Sequence, residues 1–288
     1  MFSPALEAEV EAALRSTDTL RVAAALTAGT RDENDLTNLV FGDRHPDRGG
    51  RPLKRTEPDF GRLSREWLDV RSTLVRPLLW AYIRADAQRI ALGEWRWWGN
   101  GTRVENEPDV RDRLLEYWRA ATPSPPTGDA VWQWAWSAAF ISYVLRHAGA
   151  GSHFQYSTAH RVYLHRAIRN ATTEPGHPIQ ALPVTAVRPR VGDLVCTWRS
   201  GRRVTYAQLA AMAAPPSGHP MHCDIVTEVG PGEIRVVGGN KAPAPGVACG
   251  TGHDGCTVNS GRHALTGGVL APLTGTRSGW IAVVRIGP

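Results

Sequence analysis

The feature that most constrains this chain is a change of local pattern near Pro175. Before it, apolar residues recur mainly at helical spacing. After it come short β-rich runs separated by glycine and proline, namely GDLVCTW, HCDIVTEV, EIRVVGG and GWIAVVRI. Helices followed by strands along one chain are typical of the α+β class. We therefore predict an α+β fold whose sheet is formed by the residues after Pro175.

The first part of the chain has its own helical pattern. Residues 5–29 carry apolar side chains at roughly helical spacing, and a later helical stretch is broken near Pro77. A length of 288 residues accommodates one large domain or two modest ones. We expect a helical N-terminal region over residues 1–77 and a second domain over residues 78–288.

Charge and hydropathy narrow the class of partner. The net charge is +6 and the sequence pI is about 9.5, which suits an anionic polymer but is equally typical of an arginine-rich soluble protein. The arginines are scattered, and no nucleic-acid motif is present, so we predict no nucleic-acid partner. Residues 1–30 lack the pattern of a secretory signal, and no apolar run approaches a membrane span. We therefore expect no stable membrane insertion.

Three polar residues stand where structural elements are predicted to begin or end. Ser137 follows Trp136 at the start of a helix, where backbone N–H groups and the helix dipole stabilise an oxyanion. His222 opens the run HCDIVTEV, and Asn240 ends the next run, IRVVGGN. Neighbouring strands bring a base and an orienting group side by side. Each residue alone is more typical of a cap, a structural histidine or a turn, but their order predicts a papain-type site.

Six segments carry a family resemblance: EWRWWG, WAWSAAFISYVLRHAGAG, YSTAHRVYLHRAI, VGDLVCTWRS, HCDIVTEV and IRVVGGN. In this order they resemble the bacterial DUF2272 family, over about residues 78–288. That family is similar to the NlpC/P60 and CHAP peptidoglycan hydrolases. The resemblance implies a papain-like core in which the nucleophile helix packs on an antiparallel sheet. It puts Ser137 in the position of the catalytic cysteine, His222 in that of the base and Asn240 in that of the orienting residue.

The resemblance also implies a function. The resemblance implies cleavage of an amide bond in peptidoglycan stem peptides, which such enzymes usually carry out with a thiolate. We expect no cofactor. A serine hydroxyl forms no thiolate–imidazolium pair, so Ser137 needs His222 as a general base. The expected partner is peptidoglycan, with an immunity protein or secretion machinery as further candidates. Because no Sec signal is seen, we expect the protein to be made in the cytoplasm and to act at the cell wall or in the periplasm after non-Sec delivery or lysis, as a phage lysin or an antibacterial effector does.

Further residues are predicted around this site. Asp224 lies two positions after His222 on one strand, so both side chains face the same side, and Asp224 is either a polarising partner or a strand-edge charge. Trp136 is interpreted as a cleft wall. His160 falls on the first turn of a helix that lines the cleft, although packing or capping explains it equally well. We assign Trp136, His160 and Trp198 to substrate binding.

The cysteines leave several interpretations open. Cys249 and Cys256 flank a glycine-rich loop and form either a small disulfide or two thiols. Cys223 is expected in the core, and Cys196 is a less favoured nucleophile because no base is placed for it.

Two alternative functions remain. A zinc-dependent hydrolase would use ligands from among His219, His222, Cys223, Cys249, His253 and Cys256. Their spacings match no standard zinc motif, so our leading interpretation includes no metal. A catalytically silent peptidoglycan-binding module would instead use the basic surface and the tryptophan-rich stretch over residues 80–136.

Overall fold

The computed structural model describes residues 80–81, 83–250, 255–273 and 278–287. Contacts within the chain divide it into two units, Met1–Tyr82 and Ile83–Pro288. The predicted helical N-terminal region, residues 1–77, lies outside the described residues.

Helices precede the sheet, as the change of pattern predicts. The described helices of the second unit are α1 (residues 83–97), α2 (Val110–Ala121), α3 (Ala130–Gln133), α4 (Ser137–His147), α5 (His160–Thr173) and α6 (Tyr206–Ala211), with a 3₁₀ turn at Gly151–His153. The helix α6 is inserted between two strands and begins with a capping box formed by Thr205 and Gln208. No helix in the described ranges is both long and apolar enough to cross a membrane.

A curled antiparallel sheet forms the second half of the unit. Its strands are β1 (Ile179–Pro183), β2 (Leu194–Arg199), β3 (Met221–Val229), β4 (Glu233–Lys241), β5 (Thr257–Thr266), β6 (Val269–Leu270) and β7 (Ser278–Ile286). Their order in the sheet is β1-β7-β2-β3-β4-β5-β6, and every pair is antiparallel. The prediction of an α+β fold is confirmed.

The core of the sheet consists of aliphatic side chains from most of its strands. The buried members of this cluster are Val195, Val226, Ile234, Val236, Leu265, Leu270 and Val283. Each fully buried side chain of this size stabilises the fold by about 1.5–3 kcal/mol. The sheet is therefore a firm support for polar residues on β3 and β4.

The helix α4 is buried over most of its length. Every residue from Ser137 to Leu145 is buried, and the helix packs against α2, β3 and β4. A Cβ at Gly239 of β4 would lie 2.6 Å from both Phe140 Cβ and the Trp136 ring. Only glycine permits this close approach of strand and helix, which fixes the start of α4 against the end of β4.

Two disulfides connect the four cysteines. Cys196 and Cys223 are bonded across directly opposed positions of β2 and β3, and Cys249 is bonded to Cys256. The less favoured role of Cys196 as a nucleophile is therefore excluded in this state, because its sulfur is not a thiol. Cys223 is fully buried, as expected, but as half of a disulfide.

Candidate functional site

Ser137 lies at the first position of α4 and is buried. The preceding residue, Trp136, donates its backbone N–H to the side-chain carbonyl of Asn240 at 3.2 Å when the amide is oriented to satisfy both of its groups. The Asn240 NH₂ then donates to the carbonyl of Gly255. The first N–H groups of a helix have no acceptor within the helix. The N-terminal end of α4 therefore presents hydrogen-bond donors and the positive end of the helix dipole beside the Ser137 hydroxyl.

The Ser137 hydroxyl is hydrogen-bonded to a histidine of α5. Ser137 Oγ and His160 Nε2 lie 2.6 Å apart, and His160 is the first residue of α5. On its other side, His160 Nδ1 is hydrogen-bonded to the hydroxyl of Tyr163, one helical turn along. If Ser137 donates to Nε2, the proton of the neutral ring is on Nδ1 and is donated to the Tyr163 oxygen. This tautomer is the one that a general base needs.

The surroundings of His160 favour its neutral form. Burial lowers the pKa of His160 well below its usual value, and the nearby His222 lowers it further. Asp224 acts in the opposite direction but does not outweigh burial. Burial also raises the pKa of Tyr163 well above the ordinary range, and the negative charge of Asp224 adds to this effect. At neutral pH the ring of His160 therefore has a lone pair available to the Ser137 proton.

A second polar cluster lies beside the first. His222 Nε2 and Asp224 Oδ1 are 2.9 Å apart, and Lys241 Nζ donates to the other carboxylate oxygen at 3.1 Å. Burial raises the pKa of Asp224, but Lys241 and His222 outweigh it, so that its pKa is lowered well below the usual range. Asp224 is thus a buried carboxylate that stays ionised, with a cation on one side and an imidazole on the other.

The two clusters meet through their imidazoles. The ring centroids of His160 and His222 are 5.3 Å apart at an angle of 51°. His222 Nδ1 is buried and has no hydrogen-bond partner among the described residues. A Cβ at Gly238 would clash with Asp224 Oδ1 and lie 3.1 Å from His222 Nε2. The strand β4 therefore needs glycine here to leave space for the second cluster.

A cavity of about 380 Å³ opens over Ser137. Its described lining residues are Gln133, Ala135, Ser137, Arg199, Ser200, Pro220, Met221, Asn240 and Gly255. Ser137 thus lines a cavity together with two residues that carry amides, one arginine and a second serine. The volume is at the lower end for a small-molecule pocket.

The structure brings together the predicted residues Ser137, His222, Asn240 and Asp224, but with different partners. The hydroxyl of Ser137 is bonded to His160 rather than to His222. The side chain of Asn240 holds Trp136 and Gly255 instead of orienting an imidazole. The predicted proximity of His222 and Asp224 is seen as a direct hydrogen bond.

The three residues assigned to substrate binding also differ from that prediction. The Trp136 ring is fully buried, stacks on Trp98 and donates Nε1–H to Glu105 at 2.7 Å, so it forms no cleft wall. Trp198 is 9% exposed and its indole packs against Gly279. His160 is a partner of the nucleophile position, and its burial leaves little surface for a substrate.

Sequence reasoning missed Tyr163, Lys241, Arg199 and Gln133. The spacing of His160 and Tyr163 by three residues on a predicted helix was a usable signal, since such residues share a face. Lys241 follows Asn240 directly, but its approach to Asp224 depends on the pairing of β3 and β4. Arg199 and Gln133 reach the cavity only through the tertiary fold, and no sequence pattern marks them.

The metal alternative finds little support in the available ligands. All four cysteine sulfurs are in disulfides and none is a thiolate. Among the residues that the structure describes, no group of three histidine, cysteine, aspartate or glutamate side chains is placed to hold an ion. His253 lies outside those residues.

The sequence matches the model of a known protein family. The model of the family described as "Uncharacterized protein conserved in bacteria (DUF2272)" matches residues 93–286, more than half of the chain. No curated protein and no solved structure matches the chain. The matched range contains both polar clusters and the cavity between α4 and the sheet. The chain therefore belongs to the DUF2272 family.

Proposed function

We propose that this protein is a serine-dependent hydrolase that cleaves an amide bond in peptidoglycan stem peptides, with Ser137 as nucleophile and His160 as general base. The observation that carries the proposal is the 2.6 Å contact between Ser137 Oγ and His160 Nε2 at the N-terminal end of α4. A serine that lines a cavity, a neutral imidazole bonded to its hydroxyl and the N–H groups at a helix start are the parts that acyl transfer requires.

The reaction follows from these positions. His160 Nε2 takes the proton from Ser137 Oγ as the oxygen attacks the carbonyl carbon, and the carbonyl oxygen becomes an oxyanion. The N–H groups at the start of α4 donate to this oxyanion, and the Gln133 amide at the cavity wall is a second donor. The imidazolium then returns the proton to the leaving nitrogen, the amide bond breaks, and an acyl-serine remains. Water, deprotonated by His160, hydrolyses this ester and regenerates the hydroxyl.

The second cluster supplies electrostatic support. A positive charge develops on His160 during proton transfer, and the ionised Asp224 favours that charged form. Lys241 and His222 keep Asp224 ionised despite its burial. Tyr163 holds the Nδ1 side of the ring, which fixes its orientation and tautomer. In this proposal His222 is a positioning residue rather than the base.

The substrate class rests on the resemblance to the NlpC/P60 and CHAP hydrolases. Support comes from the nucleophile at the start of a helix that packs on an antiparallel sheet, and from the net charge of +6. The departure from that pattern is the serine, together with a base carried on the helix α5. We propose that the family is a branch in which a helix-borne imidazole activates a hydroxyl.

The proposal is tested by incubating the purified protein with peptidoglycan sacculi and analysing the released material by mass spectrometry. New amino termini or muropeptides are expected from the natural protein and none from Ser137→Ala. Products that persist in Ser137→Ala would exclude Ser137 as the nucleophile. A chelator that abolishes release would instead support the zinc alternative.

One observation favours a second function, a silent wall-binding module. Trp134 is 59% exposed and lies between Gln133 and Ala135, which both line the cavity. An exposed indole is a good surface for stacking on a sugar ring. Tight pelleting with sacculi that is lost in Trp134→Ala, without any released product, would favour this function over hydrolysis.

A further inference from the structure

Arg199 is the charged residue of the cavity over Ser137. It ends β2 and is partly buried, and among the described residues that line this cavity it alone carries a charge. Within the described ranges its guanidinium has no carboxylate or hydrogen-bond partner, whereas its backbone N–H donates to Pro220 at 2.9 Å. A partly buried guanidinium that faces a cavity without a partner is well suited to bind an anion.

Two other partly buried arginines of the same unit are paired with acidic side chains. Arg113 is paired with Glu94 at 3.1 Å, and Arg285 with Asp193 at 2.7 Å. The guanidinium of Arg199 therefore differs from these by facing the cavity instead of an acidic side chain. Its charge also reaches the reacting groups: burial lowers the pKa of His160 most, and Arg199 is among the charges that lower it further.

We infer that Arg199 is a specificity residue that binds a free carboxylate of the substrate, placed close to the bond that Ser137 attacks. The inference rests on the proposed function for the identity of the substrate, a peptide. The Ser200 hydroxyl, beside Arg199 in the same lining, is a further donor for this group. Carboxylates accept two parallel hydrogen bonds from a guanidinium, which fixes orientation as well as charge.

In this inference, the N-terminal end of α4 and the Arg199 guanidinium bind different groups of the substrate. The N–H groups of α4 bind the oxyanion that forms at the scissile carbonyl. Arg199 binds a charge that is already present before the reaction, so it contributes to selecting the substrate. An amidated substrate would leave Arg199 unpaired in a filled cavity, which disfavours binding.

The test uses Ser137→Ala, which binds without turnover. Soluble muropeptides, released from sacculi by a glycosidase, are titrated calorimetrically, along with the same pool after conversion of its carboxylates to amides. We expect the amidated pool to bind about 10- to 100-fold more weakly. Adding Arg199→Gln should weaken binding of the native pool to that level and leave the amidated pool unchanged. Arg199→Lys should recover part of the difference, and the exposed Arg203→Gln should have no effect.

Several results would overturn the inference. These are equal affinity for the two pools, an Arg199→Gln variant that still discriminates between them, and no binding of either pool. Displacement of the muropeptides by inorganic phosphate at the same concentration would assign the site to phosphate instead. Discrimination in binding without any digestion of sacculi would defeat the proposed hydrolysis but would still support Arg199 as the residue that binds a carboxylate of the peptide. If Arg199→Gln digests sacculi as the natural protein does and the two pools bind equally well, the inference about Arg199 is wrong and the proposed hydrolysis stands.

Discussion

Two histidines lie side by side in this protein with rings 5.3 Å apart, yet their surroundings differ. His160 comes from a helix and contacts two neutral hydroxyl groups, those of Ser137 and Tyr163. His222 comes from a strand and contacts the ionised Asp224, which Lys241 also binds. Both are nearly buried, at 6% and 7% exposure. Burial therefore does not distinguish the two rings, but their hydrogen-bond partners do. His160 is bonded to hydroxyl groups and can accept the proton of Ser137, whereas His222 is bonded to the carboxylate of a buried charge network.

The largest expected effect separates the two rings directly. His160→Gln should lower the rate of amide hydrolysis by about 10³-fold or more, or about 4 kcal/mol, because it removes the proton acceptor of Ser137. His222→Gln should lower this rate only about tenfold, since the glutamine amide still donates a hydrogen bond to Asp224. Rates of product release from sacculi measure both. Equal losses in the two variants would contradict the distinction between them.

The second expected effect concerns stability. Asp224→Asn should lower the free energy of unfolding by about 3 kcal/mol, because Lys241 loses its buried counter-charge. Urea denaturation monitored by tryptophan fluorescence measures this loss. Adding Lys241→Met to Asp224→Asn should recover part of it. The control is Glu228→Gln, which breaks an exposed pair with Arg235 in the same two strands and should cost at most about 1 kcal/mol. If Asp224→Asn lowers the free energy of unfolding no more than Glu228→Gln does, the pair of Asp224 and Lys241 behaves as a solvent-exposed ion pair and the prediction is wrong.

The third prediction is a dependence of stability on pH. Since the pKa of folded His160 lies below its unfolded value, the unfolded state binds more protons once the pH falls below about 6.5. Stability should therefore decrease as the pH falls from there, by at most about 1.4 kcal/mol per pH unit for this group, until the folded pKa is reached. Asp224 has a lowered pKa and adds its own loss only in stronger acid, below about pH 4.

This dependence is measured by denaturation between about pH 5 and pH 7. His160→Gln should reduce the slope, and His222→Gln should reduce it less, because burial contributes most to the lowered pKa of His160 and His222 contributes less. A slope that is unchanged in His160→Gln would mean that this ring titrates normally in the folded protein.

The smallest expected effect tests the orientation of the base. Tyr163→Phe removes the acceptor at His160 Nδ1 and should lower the rate by about three- to tenfold without a large change in KM, because the ring stays buried but is held less firmly. Initial rates over a range of substrate concentrations measure the two parameters. A change in KM alone would place Tyr163 in substrate binding instead.

Much of the framework could be predicted from the sequence, because local periodicity determines it. The change of pattern at Pro175 predicts α+β, and the spacing of His222 and Asp224 predicts their common face. The position of Ser137 at a helix start is likewise a local property.

The pairing of side chains could not be predicted, because it depends on packing. Whether His160 or His222 reaches Ser137 is decided by how α5 packs against β1 and β3. The bond between Cys196 and Cys223 depends on the register of β2 and β3, which places them opposite each other. Asn240 holds the start of α4 because β4 approaches that helix closely at Gly239.

The central claim, that His160 activates Ser137, is tested most directly without a natural substrate. The protein is treated with a fluorophosphonate, which phosphonylates activated serines, and the modified peptide is identified by mass spectrometry. We expect one adduct on Ser137, its formation strongly slowed by His160→Gln and much less by His222→Gln. No adduct on Ser137 in the natural protein, or labelling that depends on His222 and not on His160, would contradict the account.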